Sequence, residues 1–351
     1  MKTLNSITIA IHDRPGSFSD KWIDYCKNKS IQYKTVNCYD CNIVMMLKEY
    51  DALLWHWHQD DTKAILFARQ LLLSVEHMGL KVFPNINTCW CFDDKVGQKY
   101  ILESINVPIV PTYVFYDRQN ALNWIKTTDY PKVFKLRGGA GSSNVKLVRS
   151  VIEAKKLCQS AFENGFKANA GYFSDFSTKI EKTMIARDYL GKIKRLPRLL
   201  LKIHSNNKIR AREKGYIYFQ DFIPNNQYDT RITIIGNRAF GFRRKVRTND
   251  FRASGSGKLD YDMSNINMKC ISIAFKVADQ LKTQSLAIDF IEDDESNPLI
   301  IEISYCFASA AVKACSGFWD RKLKWHDQAI WPEYAIIEDI ILIACEASAM
   351  S

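Results

Sequence analysis

Residues 130–148 read YPKVFKLRGGAGSSNVKLV. An apolar run ending on Lys135 gives way to glycine and serine, and a second apolar run closes on Val148. Glycine lets a backbone approach a ligand closely, so the pattern predicts strand, loop, strand. A lysine fixed at the end of the first strand would set one ammonium beside the loop's amides, a combination that suits phosphate oxygens. The segment lacks the terminal Lys-Ser/Thr of a P-loop and the G-x-G-x-x-G of a dinucleotide fold. Taken alone, it also reads as a plain turn in a hairpin.

The flanking chain supplies context. Upstream, ITIAIHD (7–13), a polar helix near 18–28, IQYKTVN (31–37), DALLWHW (51–57), a helix over about 62–78 and then KVFPN alternate as a small βαβ layer. Pro84, the pair Asp93 and Asp94 ahead of the helical KVGQKYILESI, and Pro108 with Pro111 after it mark a second start near residue 94. Downstream come the strands YIYFQDFI (216–223) and RITIIGNRAFGFRRKV (231–246), then a helix from about Met268 to Lys282. Two strands, SLAIDFIE and LIIEISY, follow around DDESNP, and a hydrophobic, Trp-rich helical tail ends the chain.

A chain of 351 residues exceeds one ordinary core, so two or three lobes are expected. Its net charge of +11 points to anionic partners. Most of that excess lies in residues 179–214, where twelve Lys/Arg face Glu181, Asp188 and Glu213 for a net +9. This stretch reads either as a solvated helical face or as a dock for an anionic acceptor or a membrane surface, with Leu199, Leu200, Leu201 and Ile203 beside the cations. No apolar run is long enough for a membrane span, and His12 and Asp13 interrupt the start before a signal-peptide core can form, so a cytoplasmic protein is expected.

Two further elements bear chemistry. Asp289 in AIDFIE and Glu302 in IIEIS sit on neighbouring strands, where both can point to one face. Acids in apolar strands need a cationic partner, and a hard Mg²⁺ bridging phosphates would serve; the bland reading has both facing solvent. Between the two elements lie Arg231, Arg243, Arg244, Lys245, Arg247 and Arg252, interleaved with Asp229 and a flexible ASGSG. Guanidinium forks suit phosphate and carboxylate.

In order, these segments resemble the ATP-grasp superfamily: a Lys in DDK opening a helix, a Lys before a Gly-rich loop, FQDFI, the D-x-R of YDTRITIIGNR, FRRKVRTNDFRASGSG, and a final acidic hairpin. The patterns are similar to those of the ribosomal-protein glutamate ligases, the glutathione synthetases and the ATP-grasp proteins of bacterial surface-polysaccharide clusters. The resemblance covers roughly residues 94–305. It implies an α/β fold of α+β lobes: a pre-ATP-grasp lobe over 1–93, a central lobe over 94–222 with a glycine-rich lid and a basic insertion at 151–215, and a mixed-sheet C-terminal lobe over 223–351.

The resemblance also implies roles for particular residues. Lys95 and Lys135 would meet the α and β phosphates of ATP, and the loop with Gly138, Gly139, Gly141, Ser142 and Ser143 would close over the triphosphate. Gln220, Asp221, Phe222 and Ile223 would form the hinge that reads adenine, with Asp229 near the ribose. Arg231, Arg244 and Arg252 would serve catalysis, the first two holding the γ-phosphate and an acyl phosphate. Asp289, Glu302 and Ser304 would bind one or two Mg²⁺, Ser304 standing where the family usually has Asn.

The implied activity is an ATP- and Mg²⁺-dependent carboxylate–amine ligase forming an amide through an acyl phosphate. One substrate would be anionic and saccharide-linked, such as a uronic-acid-containing polysaccharide precursor; no nucleic acid partner is expected. A small-molecule kinase and a nucleotide-binding module without catalysis are the alternatives. A ligase needs both a carboxylate and an amine for turnover, a kinase needs one acceptor, and a binding module shows no turnover.

Cys38 and Cys41, His56 and His58, and Cys89 and Cys91 raise zinc, but their spacing fits no ribbon or finger and buried thiols are expected. The aromatic tail around Phe318, Trp319, Trp325, His326 and Trp331 is expected in the core or along an acceptor pocket.

Overall fold

The computed structural model describes residues 7–139, 144–167, 211–247 and 250–350. Three sheets organise them. The first is parallel: β1 (Thr8–His12), β2 (Gln32–Val36), β3 (Ala52–Leu54) and β4 (Lys81–Phe83) lie in the order β2-β1-β3-β4. Helices α1 (Phe18–Lys29), α2 (Ile43–Met46) and α3 (Thr62–His77) connect them. Parallel strands are covered on both faces, which is why Ile9, Ala10, Ile11, Leu53 and Leu54 are all buried despite lying consecutively. Local signals set the helix ends. Ser17 and Asp61 accept from the Ser19 and Ala64 amides at the starts of α1 and α3, and Ser30 stops α1 in a left-handed conformation.

After α4 (Ile86–Cys89), Asp94 caps α5 (Lys95–Ser104) by accepting from the Gly97 amide. A second sheet follows, antiparallel throughout. Strands β5 (Thr112–Phe115), β6 (Lys132–Lys135), β7 (Val145–Val148) and β8 (Ile217–Asp221) take the order β5-β8-β6-β7, backed by α6 (Arg118–Thr127) and α7 (Val151–Phe162). The strand, loop, strand reading of 130–148 is thus β6 and β7. Residues 140–143 of that loop, with Gly141, Ser142 and Ser143, lie outside the described residues, as does most of the basic stretch 179–214.

The third sheet holds β9 (Tyr228–Ile235), β10 (Arg238–Lys245), β11 (Leu259–Asp260), β12 (Ser285–Glu292), β13 (Pro298–Ser304), β14 (Phe318–Trp319) and β15 (Trp325–His326). Its order is β13-β12-β9-β10-β14-β15, with β11 also on β10. Helix α8 (Met268–Leu281) packs beneath it on Ile271, Ala274 and Ala278, a spacing that keeps one face apolar. After the five-residue α9 (Ser309–Lys313), helix α10 (Pro332–Met350) turns back onto the first lobe, where the Trp22 indole donates to the Glu333 carbonyl.

Two expectations are corrected here. The Trp-rich tail is not helical throughout: β14 and β15 extend the third sheet, and Trp319 and Trp325 meet edge to face with ring centroids 4.6 Å apart against its core. Aromatic residues pack well on a pleated surface, and that packing outweighs their place in a hydrophobic run. Of the paired cysteines, Cys38, Cys89 and Cys91 are buried as expected, whereas Cys41 is exposed.

Candidate active site

A cavity of about 400 Å³ lies where the three sheets meet. Of the residues singled out by sequence, Lys95, Lys135 and Gly139 line it with the segment Gln220–Ile223; Asp229, Arg231, Arg244 and Arg252 line it from the third sheet and its loop; Asp289, Glu302 and Ser304 complete it. Gly138 is buried beside it without lining it.

Two buried ammonium groups face the cavity. Strand β6 carries Lys135, whose Nζ donates to Gln220 Oε1 on β8 at 2.6 Å; among the described residues it makes no ion pair. Burial drives this lysine down to about 8, and the nearby charge of Lys95 adds to the effect against the pull of Glu302. Lys95, at the start of α5, donates to the Gly139 carbonyl at 2.8 Å and pairs with Glu302 at 3.1 Å. Burial would lower it too, but Glu302 and Asp93 outweigh burial and raise it.

The glycine turn is tied to the same place. Asp93 Oδ1 accepts from the Gly139 amide at 2.6 Å, and Gly139 has φ +105°, so a side chain there would be strained and would strike Asn144. Asp93 itself holds φ +55°. It was absent from the sequence-based set, although the acid pair preceding the α5 helix was its signal.

On the third sheet, register decides who meets whom. Asp289 stands opposite Arg231 on β9 and opposite Glu302 on β13. The pairing jumps from Asp289–Glu302 to Phe290–Ile300, so Ile301 bulges from β13 beside the two acids. Arg231 grips Asp289 with both prongs at 2.7 and 2.8 Å, and Arg244 reaches the same carboxylate at 2.8 Å. These two guanidiniums hold Asp289 well below the usual carboxylate range, against the opposing push of burial.

Asp229 lies opposite Arg244 across β9 and β10 and takes a bidentate contact from it at 2.6 and 2.5 Å. Both Asp229 oxygens are therefore engaged by arginine. Burial raises this carboxyl more than Arg244 lowers it. Both Asp250 oxygens share the Arg252 Nε, at 3.0 and 2.8 Å, and Asp221 is paired with Lys132 at 2.6 Å. The Ser304 hydroxyl accepts from the Cys306 amide at 3.1 Å and donates to the Cys306 carbonyl at 2.8 Å, closing the turn after β13.

The first lobe adds residues that sequence did not assign to the site: His58 and Gln59 line the cavity, as do Cys306 and Phe307 from the turn after β13. Tyr305 fastens the two segments by accepting from the Trp57 amide at 3.2 Å and donating to the Trp57 carbonyl. His58 Nδ1 lies 2.8 Å from Asp60 Oδ1, which also takes Arg14 Nη2 at 2.9 Å. Burial disfavours charge on His58, but the Cys306 sulfur and Asp60 outweigh it and raise the imidazolium to about 10.

The donor set suits a nucleotide triphosphate with a hard cation. A buried ammonium without a paired anion fits a phosphate, and two opposed carboxylates fit Mg²⁺ completed by phosphate oxygens. Among the described residues no group of three or more His, Cys, Asp or Glu is placed to hold a metal ion.

The fold is the ATP-grasp fold, and what the chain is similar to are ATP-grasp carbon–nitrogen ligases. Residues 201–316 match the RimK-like ATP-grasp domain. The α-aminoadipate–LysW ligase LysX of Saccharolobus solfataricus is 22% identical over 79% of this chain and 85% of its own length. A RimK domain ATP-grasp protein from Sphaerobacter thermophilus superposes with a TM-score of 0.55 at 14% identity, covering 95% of this chain and 99% of that one. D-alanine–D-alanine ligase from Bacillus anthracis gives 0.56 at 12% identity, covering 97% and 99%.

Proposed function

We propose that the protein activates a carboxylate with ATP and joins it to an amine, with Lys95, Lys135, Arg231, Arg244, Asp289 and Glu302 as the working residues. The observation that carries this reading is the pair of buried lysines facing opposed acids in one cavity. A carboxylate is a poor electrophile until phosphorylation supplies a leaving group, after which an amine can attack the acyl phosphate. Lys135 and Lys95 hold the phosphates, and the apolar surfaces of Val133, Val145, Phe222 and Ile301 sandwich the base. Arg231 and Arg244, kept rigid by Asp289 and Asp229, offer donors to the transferring phosphoryl group and then to the oxyanion of the tetrahedral adduct. Asp229 serves here by positioning Arg244. When bound on Asp289 and Glu302, Mg²⁺ supplies charge neutralisation between phosphates. Ser304, whose hydroxyl closes a turn, is left out of the ligand set. ADP release is the assay: it should require a carboxylate and an amine together, whereas release with an alcohol acceptor alone would favour a kinase.

A finer reading makes the acceptor an anionic, saccharide-linked carboxylate. The charge of residues 179–214 in the sequence supports it. Neutralising Lys192, Lys194, Arg195 and Arg198 together should raise the acceptor's KM and weaken its salt dependence while leaving the KM for ATP unchanged; equal acceptor kinetics at low salt would discard it. Among the described residues no helix is long and apolar enough to cross a membrane.

The lysine at about 8 gives ATP binding a pH dependence. Phosphate contact needs the ammonium, so affinity should be level below pH 7 and weaken above 8, approaching about tenfold per pH unit. The sign for folding is opposite. Between about 8 and its ordinary 10.5 the unfolded chain holds the extra proton, so the empty protein gains stability as pH rises through that window. Calorimetric titration of ATP from pH 6.5 to 9.5 checks the first claim, and a flat profile would separate Lys135 from the phosphates.

A further inference from the structure

Helix α3 of the first lobe is apolar on both sides. Its inner side packs Ala64, Ala68, Leu72 and Val75 into the core of the lobe. The outer side, with Lys63, Leu66, Phe67, Gln70, Leu73 and His77, is exposed throughout. A surface helix ordinarily carries polar residues there. Here Phe67 is 59% exposed, and Leu66 and Leu73 are 44% exposed each. Of the eighteen large apolar side chains exposed among the described residues, nine lie within residues 39–90, so the apolar surface is gathered on this lobe and marks an interaction site. Tyr39 flanks the start of the helix, where the Lys63 ammonium sits 5.4 Å over its ring. Trp90 flanks the middle, where Arg69 Nε donates to the Trp90 carbonyl at 2.9 Å. None of the outer-side residues lines the cavity.

We infer that this face is the two-fold interface of a homodimer, with α3 packed antiparallel on α3 of a second copy. The face matches itself end for end about Gln70. Phe67 and Leu73 lie three positions from Gln70 on either side, Leu66 and Ser74 four, and Lys63 and His77 seven. A two-fold axis at Gln70 therefore sets Phe67 of each copy on Leu73 of the other, so apolar meets apolar twice. The positions 63, 66, 70, 73 and 77 alternate in steps of three and four, the seam along which two helices interdigitate. On the axis the two Gln70 amides meet, and each can donate to the carbonyl oxygen of the other, a pairing that fixes register. At the ends, Lys63 arrives over the last turn of the second copy's helix, beside Glu76 and at the negative end of the helix dipole. A parallel pair would instead set Lys63 on Lys63, so charge selects the antiparallel arrangement. A helix of 16 residues offers a strip about 24 Å long and 10 Å wide. That strip is smaller than the roughly 800 Å² per partner of a standard interface; Tyr39, Met78 and Trp90, all exposed, extend it, and a weak dimer is expected.

Sedimentation equilibrium of the full chain, over two decades of micromolar concentration, should fit a monomer–dimer equilibrium. Phe67→Asp should weaken association by about a thousandfold, because loss of an apolar anchor costs about thirtyfold and the two-fold axis counts it twice. Position 67 is exposed, so this variant should keep its fold, which circular dichroism checks. Register is read by cross-linking in a Cys41→Ser background, which removes the exposed native thiol. Gln70→Cys should join to itself under mild oxidation. Lys63→Cys should not, but it should join His77→Cys when the two proteins are mixed. A monomer at every concentration would overturn the inference and leave the face to a different protein. A dimer undisturbed by Phe67→Asp, or self-joining of Lys63→Cys in place of Gln70→Cys, would overturn it as well. Each readout is independent of ADP release, so the ligase reading stands or falls separately.

Discussion

Lys135→Ala is expected to lower carboxylate-dependent ADP release by about 10²–10³, the usual loss when a pre-positioned donor to developing charge is removed. The reason is local. Lys135 sits on a strand with paired neighbours on both sides, its ammonium is already stripped of water, and its hydrogen-bond partner is the neutral Gln220 amide. That charge is available for a phosphate without first breaking a salt bridge. Lys95 cannot take its place, because it is shared between Glu302 and the Gly139 carbonyl. The KM for ATP should rise together with the loss in turnover, whereas Lys146→Ala, an exposed change two strand positions from the loop on β7, should leave both untouched. Unchanged ADP release by a folded Lys135→Ala protein removes β6 from the site.

Glu302→Gln should act through the metal. Changes in groups that merely support a metal ligand cost 10- to 100-fold, so losing a direct anionic ligand should raise the Mg²⁺ concentration for half-maximal activity by roughly a hundredfold. Glu302 is the better probe of the two acids. Asp289 also neutralises Arg231 and Arg244, so changing it would leave buried guanidiniums short of a partner and confuse folding with chemistry. Glu302→Gln keeps shape and hydrogen bonding and takes away one charge, which also frees Lys95. Metal titrations of ADP release that overlay those of the wild type would place the metal elsewhere.

How much of this was legible in the sequence depended on distance along the chain. The acidic hairpin was readable because Asp289 and Glu302 are joined by a short turn, and strand alternation puts both on one face. Lys135 and the Gln220–Ile223 segment were readable because each ends an apolar run. The pairing of Asp229 with Arg244 depended on the register of β9 against β10, which composition does not fix, so an acid expected at a ribose proved to be bonded to arginine. Cys306 and His56 are 250 positions apart, and nothing in either segment announces the other. Only the packing of the first lobe on the turn after β13 brings them together. The aromatic tail misled because a hydrophobic run has no period that separates a short edge strand from a helix.

The measurement that bears most directly on the central claim follows oxygen. A carboxylate labelled with ¹⁸O in both oxygens is incubated with the protein, ATP, Mg²⁺ and an amine, and the released phosphate is weighed by mass spectrometry. Amino dicarboxylates such as glutamate and α-aminoadipate, together with uronic acids, make up the substrate panel. Activation through an acyl phosphate transfers one carboxylate oxygen to phosphate, so each phosphate formed should carry one ¹⁸O in step with ADP and amide. Unlabelled phosphate accompanying ADP, or ADP accumulating with a stable phosphate ester in place of an amide, would contradict the account.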